Sequence, residues 1–419
     1  MRIVSDLHIH SRYSRATSSE MNINNLVKYA RIKGVTLLGT GDFTHPSWLD
    51  EIRSSLSEDA SGILKTNDGF PFILSGEISS IYSQDGKLHR IHNVVLAPDL
   101  ETAEQINSAL MRKKVKIESD GRPICGIPAP DLVEMFKAIN TRIEIIPAHI
   151  WTPWFSLFGS KSGFDRIEDC FHDQTKHIHA LETGLSSDPA MNWRLSQLDK
   201  FSMVSFSDSH SFWPWRIGRE ATLFELKSLT YDNLLKALRT KEGLVETIEV
   251  DPSYGKYHFD GHRVCNVSLE PSESKKMKNV CPVCRRELTI GVLHRVEELA
   301  DREHGFVPKG AKPFRSLLPL SEIISAATGA SVSSNKVWEE YNKLVAAFGS
   351  ELKVLLDASD DQLKVSTSER VANLLLSVRN GKVKIKPGYD GVYGEIENAK
   401  KSKTENAPFK KPQKTLGEF

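Results

Sequence analysis

Short apolar runs alternate with amphipathic stretches through the first half of the chain. Ile3-Val4 is followed by Ile23-Asn24-Asn25-Leu26-Val27-Lys28-Tyr29-Ala30 at helical spacing, then Gly34 as a stop, then Val35-Thr36-Leu37-Leu38. This is the rhythm of βα units. Phe72-Ile73-Leu74, Asn93-Val94-Val95-Leu96, Ile143-Glu144-Ile145-Ile146, Ile178-His179-Ala180-Leu181 and Met203-Val204-Ser205-Phe206 continue the series as strands. About seven strands predict a barrel-like α/β domain over residues 1–250. The texture changes at Asp251, where a segment poor in long apolar runs holds three of the five cysteines. Residues 251–295 are therefore expected to form a small metal-stapled module. Helical periodicity returns in Val337-Trp338-Glu339-Glu340-Tyr341-Asn342-Lys343-Leu344-Val345 and Val371-Ala372-Asn373-Leu374-Leu375-Leu376, predicting a helical, DNA-binding domain over 296–397. The stretch 398–419 is too polar to build a core and is expected to be a disordered tail.

Composition narrows the class. Of the 419 residues 39% are hydrophobic, ordinary for a folded protein with a substantial core, and no apolar run has the length of a membrane span. The start, MRIVSDLHIH, lacks the basic then apolar pattern of a secretory signal, so a cytoplasmic location is expected. Five cysteines with one C-x-x-C pair suggest metal before disulfides in that compartment. Lys plus Arg number 55 against 54 for Asp plus Glu, so any affinity for nucleic acid must come from local charge.

The candidate chemistry lies at the strand ends, where parallel α/β barrels assemble their sites. His8 and His10 follow the first strand at i, i+2, which turns both imidazoles to one face. Asp42 and His45 follow the second strand and Glu77 the third; His92 opens the fourth, His149 follows the fifth, and Asp208 and His210 follow the last. Imidazole mixed with carboxylate suits zinc, manganese or iron, and one shared carboxylate can bridge two ions. These residues resemble the polymerase and histidinol phosphatase (PHP) domain over roughly the first half of the chain. The resemblance implies a distorted (β/α)7 PHP barrel that hydrolyses phosphoesters with metal-activated water, Asp208 being both ligand and catalytic residue. Arg15 would offset phosphate charge beside it, or serve only as a surface ion-pair partner.

His262-x2-Cys265 and Cys281-x2-Cys284 have the spacing of a structural tetrahedral zinc site, with His258 or His294 as alternatives to His262. Lys275, Lys276, Lys278, Arg285, Arg286 and Arg295 crowd this module and suit phosphate contacts, though such clusters are commonly just solvated surface. The run from Gly261 to Cys265, Cys281-Pro282-Val283-Cys284 and Gly291-Val292-Leu293-His294-Arg295-Val296-Glu297-Glu298-Leu299 resembles the endonuclease Q family, as does the order of barrel, zinc module, helical domain and tail. That resemblance implies an archaeal-type DNA repair nuclease that incises 5′ of deaminated bases, uracil and hypoxanthine, and of abasic sites. Zinc is then expected in the module and at the active site, with Mg²⁺ or Mn²⁺ as alternatives for catalysis.

Reading a damaged base requires flipping it into a pocket and filling the gap. Trp151, Trp154, Phe155, Lys161 and Ser162, in the aromatic loop after His149, are the candidate substrate contacts, and Phe212-Trp213-Pro214-Trp215 forms a second aromatic group. Both loops would serve equally as lids packed on the sheet. Asp188, in the polar loop after the sixth strand, is a further catalytic or substrate-contact candidate. At the end of the chain Gln413, Leu416 and Phe419 follow the Gln-x-x-aliphatic-x-x-aromatic pattern of sliding-clamp peptides, so the expected partners are damaged DNA and a sliding clamp, with the enzyme a monomer. Two rivals remain at this point: a small-molecule phosphatase of the same barrel class, and a non-catalytic DNA-binding scaffold.

Overall fold

The computed structural model describes residues 1–397. The clamp-peptide residues Gln413, Leu416 and Phe419 lie outside the described residues. The fold is mixed α/β. Strands β1 (Arg2–Asp6), β2 (Leu37–Gly39), β3 (Pro71–Gln84), β4 (Lys87–Ala97), β5 (Glu144–Pro147), β6 (Ala180–Glu182) and β7 (Ser202–Val204) occupy the expected positions. Helices α1 (Ile23–Lys33), α2 (Pro46–Ser55), α3 (Leu100–Arg112) and α4 (Ala129–Ile139) lie between them in the chain. The first turn of α1 is fixed by Asn22, whose side chain accepts from Asn25 N–H, and its end by Gly34 at φ 100°, a left-handed position that favours glycine.

Pairing runs from strand to strand around a circuit. β1 is parallel to β2 and β2 to β3, whereas β4 is antiparallel to both β3 and β5. A parallel bridge at Ile145 and Ile178 leads on toward β6, which is parallel to β7, and a bridge between Ile9 and Ser209 returns to the end of β1. The uniform βα rhythm expected from the sequence fails at one place. β3 and β4 form a long hairpin with Leu74 opposite Ala97 and Gln84 opposite Lys87, turning through Asp85 and Gly86 at φ 52° and 75°. Two successive positive φ values make the hairpin turn for which an Asp-Gly pair is well suited.

Beyond the circuit, β8 (Ala221–Glu225) pairs antiparallel with β1 and with β9 (Leu244–Glu249), with α5 (Tyr231–Thr240) between them. The cysteine-rich segment contributes a small hairpin, β10 (Asp260–His262) with β11 (Val267–Leu269). After α6 (Val292–Leu299), β12 (Phe314–Ser316) joins the main sheet alongside β9. Then come α7 (Leu320–Thr328), α8 (Asn335–Phe348), α9 (Glu351–Leu356) and α10 (Glu369–Arg379). These helices share one core with the sheet: Leu320, Ile323, Ile324, Tyr341 and Leu375 pack with Ala221, Leu223, Ile248 and Val250. Lys33 at the end of α1 is 1% exposed and reaches Glu351, itself buried, at 2.7 Å. Among the described residues no helix is long and apolar enough to cross a membrane.

Candidate active site

His8 and His10 extend from β1 with Ile9 between them, and Ile9 is held by its bridge to Ser209. Glu77 lies on β3, and His92 lies on β4 opposite Ser79. Residues 77 and 79 share a face and cross-strand partners share a face, so hairpin pairing alone brings Glu77 and His92 together. His149 and Asp208 follow β5 and β7 at φ 31° and 47°, left-handed conformations costly for non-glycine residues. Gly184 (φ 63°) permits a close approach to His149, since a Cβ there would lie 2.6 Å from His149 Cβ.

The ligand-type atoms form two sets that share one carboxylate. His8, His10, Glu77 and Asp208 make the first, and Glu77, His92 and His149 the second, with the atoms of each set within 4.8 Å of one another. In the first, His10 Nε2 is 3.3 Å from Glu77 Oε2 and 3.0 Å from Asp208 Oδ1, while His8 Nε2 is 3.6 Å from both carboxylates. In the second, Glu77 Oε1 is 2.6 Å from His92 Nδ1 and 3.2 Å from His149 Nε2.

The surrounding groups fix the rings. His8 Nδ1–H donates to the Glu182 carboxylate at 2.9 Å, and His10 Nδ1–H donates to Asp42 Oδ1 at 3.0 Å, which turns both Nε2 atoms toward the cluster. Glu182 also accepts from His149 N–H at 2.7 Å. Burial disfavours charge on His8 and His10, but Glu182 and Glu77 around His8, and Asp42 and Asp208 around His10, hold both imidazoles well above the ordinary histidine value. Burial would raise Glu77, yet His92, Arg122 and His8 hold its carboxyl well below the usual range. A fit test for a cation comes from His8 Nε2, a buried nitrogen with no hydrogen-bond partner, aimed between two anionic carboxylates. A metal ion satisfies that nitrogen and the carboxylates together, so these residues fit one.

Four expected site residues stand elsewhere. Asp42 is in neither donor set; it accepts from His10, from Ser11 N–H at 2.6 Å and from the Ser11 and Ser14 hydroxyls, so it orients His10. His45 stacks on Tyr13 with its Nε2 3.2 Å from the Glu118 carbonyl. Asp188 caps the four-residue helix Pro189–Asn192 by accepting from Met191 N–H, and burial pushes its carboxyl up to about 6. Arg15 is largely exposed and pairs with Asp120. His210 lies beside the cluster, its ring 4.4 Å from that of His10 and its Nδ1 on the Asp208 carbonyl, but it is in neither set.

Sequence reasoning missed Glu182 and Arg122. Glu182 ends β6 much as His8, His149 and Asp208 follow theirs, and the same rule would have found it. Arg122 sits in a polar loop with no periodicity to mark it, yet its guanidinium reaches Glu77 Oε2 at 3.1 Å.

The aromatic loop divides between core and site. Trp151 is a core residue rather than a substrate contact: it is 1% exposed and its indole N–H donates to Asn192 Oδ1 at 2.8 Å. Phe155 packs on His92 with ring centroids 4.8 Å apart, Ser162 accepts from Phe155 N–H, Trp154 meets Tyr257 edge-on, and Lys161 is exposed.

A third donor set, His262, Cys265, Cys281 and Cys284, has its atoms within 4.8 Å of one another. His262 ends β10, Cys265 sits in the turn before β11, and Cys281 and Cys284 flank a tight turn closed by Arg285 N–H donating to the Cys281 carbonyl. Burial pushes the Cys281 thiol up, but the Cys284 and Val283 backbone N–H groups prevail with His262 and bring it down to about 6. The alternatives to His262 lie outside this set: His294 bonds Asp260 at 2.5 Å and His258 stacks on Phe259.

Comparison with known proteins agrees with this layout. The family described as "MJ0043 C-terminal domain" matches residues 319–382. The uncharacterized protein MJ0043 of Methanocaldococcus jannaschii is 33% identical over 253 residues, covering 59% of this chain but only 31% of that protein's own length. The lesion-specific endonuclease PfuEndoQ from Pyrococcus furiosus superposes at a TM-score of 0.85 with 33% identity, over 94% of this chain and 95% of that one. An endonuclease Q complex with a 27-mer duplex carrying an abasic lesion at the active site superposes at 0.85 with 32% identity, over 97% of this chain and 100% of the other. The chain belongs to the endonuclease Q family.

Proposed function

We propose that this protein is a metal-dependent DNA repair endonuclease that hydrolyses the phosphodiester 5′ of deaminated bases, uracil and hypoxanthine, and of abasic sites. The observation that carries the reading is the position of Glu77, one carboxylate whose two oxygens face two separate sets of nitrogen and oxygen donors. The family relationship and the abasic duplex at the active site of a relative support DNA as the substrate. The circuit of strands supports the PHP-barrel reading, and the His262/Cys265/Cys281/Cys284 set has the donor chemistry of structural zinc.

His8, His10, Glu77 and Asp208 would hold one ion, and Glu77, His92 and His149 a second. Two adjacent ions supply an activated water and a clamp on phosphate oxygens. The chain's own groups do the rest. Glu182 and Asp42 keep His8 and His10 in the tautomer that presents Nε2. Arg122 holds Glu77 in place and adds fixed positive charge where an anionic strand must approach. Phe155, against His92, is the aromatic face nearest the second set and the preferred contact for an extruded nucleotide. Residues 1–250, 251–295 and 296–397 are proposed as nuclease, zinc and DNA-binding parts, with the tail peptide at Gln413, Leu416 and Phe419 recruiting the monomeric enzyme to a sliding clamp.

The deciding experiment incubates the protein with Mg²⁺ or Mn²⁺ and end-labelled duplexes carrying one deoxyuridine, one deoxyinosine, one abasic site or no lesion. Cutting 5′ of each lesion, absent in His8→Ala and Asp208→Ala, is the expected result. Equal cutting of the undamaged duplex would sink the lesion specificity.

A further inference from the structure

A cleft near the donor sets is lined by Leu185, Trp215, Arg216, Arg219, Tyr254 and Tyr393 with Glu322 at one side. It is a shallow, open groove with only about 20 Å³ of enclosed space, so an occupant would lie along its open mouth. Two of its walls extend directly from the proposed site. Leu185 follows Gly184, which abuts His149, and Arg219 donates through Nε and Nη2 to the carbonyl of Ser207, the residue before Asp208. The cleft therefore lies on the same loop face as the donor sets.

The charge in this cleft is lopsided. Arg216 is half-buried and, among the described residues, makes no side-chain hydrogen bond or ion pair, whereas Arg219 is held by Ser207. Lys256 lies with its Nζ 4.7 Å above the Tyr393 ring. The one facing carboxylate, Glu322, is already engaged, accepting from the Tyr254 hydroxyl at 2.5 Å. Burial would raise the Tyr393 phenol, yet Lys256, Arg216 and Arg219 prevail and hold it below its ordinary value, as expected where the field favours a negative charge. An unpaired guanidinium beside aromatic rings suits a phosphate with a flat ring attached: the fork grips oxygens while the exposed Tyr393 ring offers stacking surface, Trp215 being already stacked on Trp213 and packed against Trp338.

We propose that Arg216, at the mouth of this cleft, holds one backbone phosphate of the DNA strand crossing the loop face, with the adjoining nucleoside against the exposed Tyr393 ring. The inference rests on the DNA reading above and adds a second anchoring point for the strand, apart from the metals.

The test measures duplex affinity across a salt series for wild type, Arg216→Met and Arg216→Lys, each checked for bound metal and melting temperature. Losing one phosphate contact should lower the slope of log Kd against log salt by about one, and Arg216→Lys, which keeps the charge, should restore it. In parallel, tryptophan fluorescence is titrated with thymidine 5′-monophosphate, thymidine and inorganic phosphate. An unchanged slope in Arg216→Met overturns the proposal; if the monophosphate alone then quenches wild type and not the variant, the cleft takes free nucleotides instead. Failure of wild type itself to bind any duplex overturns the DNA reading, and this inference falls with it.

Discussion

Glu182 touches two candidate ligands at once, the ring of His8 and the backbone of His149, and so positions members of both donor sets. Glu182→Gln keeps the shape and removes the charge, and metal affinity measured by competition with a chromophoric chelator should drop about 10- to 100-fold. His45→Ala should leave the metal content by mass spectrometry unchanged, because His45 faces Tyr13 and the Glu118 carbonyl instead of the cluster. The raised imidazoles set the direction of the pH dependence. His8, His10 and His149 prefer to hold protons when their carboxylate neighbours are their only partners, and each must lose one to ligate. Affinity should therefore climb with pH through the range above the ordinary histidine value, and metal uptake in weak buffer should release protons detectable by calorimetry in buffers of different ionisation enthalpy. At this scale the sequence was legible at His8, His10, His149 and Asp208, which follow their strands and fall in the donor sets. It misled at Asp42 and His45, where the same position serves to orient a ligand or merely packs, since residue type and spacing do not reveal which way a side chain turns.

At the scale of elements, the joint between α1 and α9 is an ion pair inside the core. Lys33 donates to Glu351 and to the Pro214 carbonyl, and Glu351 also accepts from Leu320 N–H and the Tyr341 hydroxyl. Lys33→Met strands a buried carboxylate and should cost about 3–5 kcal/mol, read from the urea midpoint. Adding Glu351→Gln, whose amide oxygen can still accept from Leu320 N–H while its NH2 donates to the Tyr341 hydroxyl oxygen, should recover much of that loss. The cysteine hairpin is expected to depend on its four donors in the same way, because its apolar cluster among the described residues is small, Val267, Cys281 and Leu288 with Cys265 and Leu269 packed against them. Cys281→Ser should lose one metal equivalent by mass spectrometry and speed amide exchange through β10 and β11, while uptake at the histidine cluster persists. The spacing of His262, Cys265, Cys281 and Cys284 carried this information openly. The β3–β4 hairpin did not show in the apolar runs, because its two strands read as separate βα strands until Asp85-Gly86 is weighed as a turn.

For the whole molecule, the change of texture at Asp251 was visible in the sequence, but its meaning for packing was not. The helices beyond β12 close over β8 and β9 in one shared core, and complementary surfaces of that kind leave no mark in periodicity. The donors, too, are gathered from far apart: His8 stands near the start and Asp208 close to the middle of the 419-residue chain, with Glu77, His92 and His149 each from or after a different strand. The last contact, Ile9 to Ser209, is also the one that brings the chain back to its start. A ribosome that has made only the first two hundred residues has therefore released nothing able to assemble the first donor set. A nuclease built in this way stays unarmed through the first half of its synthesis, until Asp208 has been added and the circuit of strands has closed.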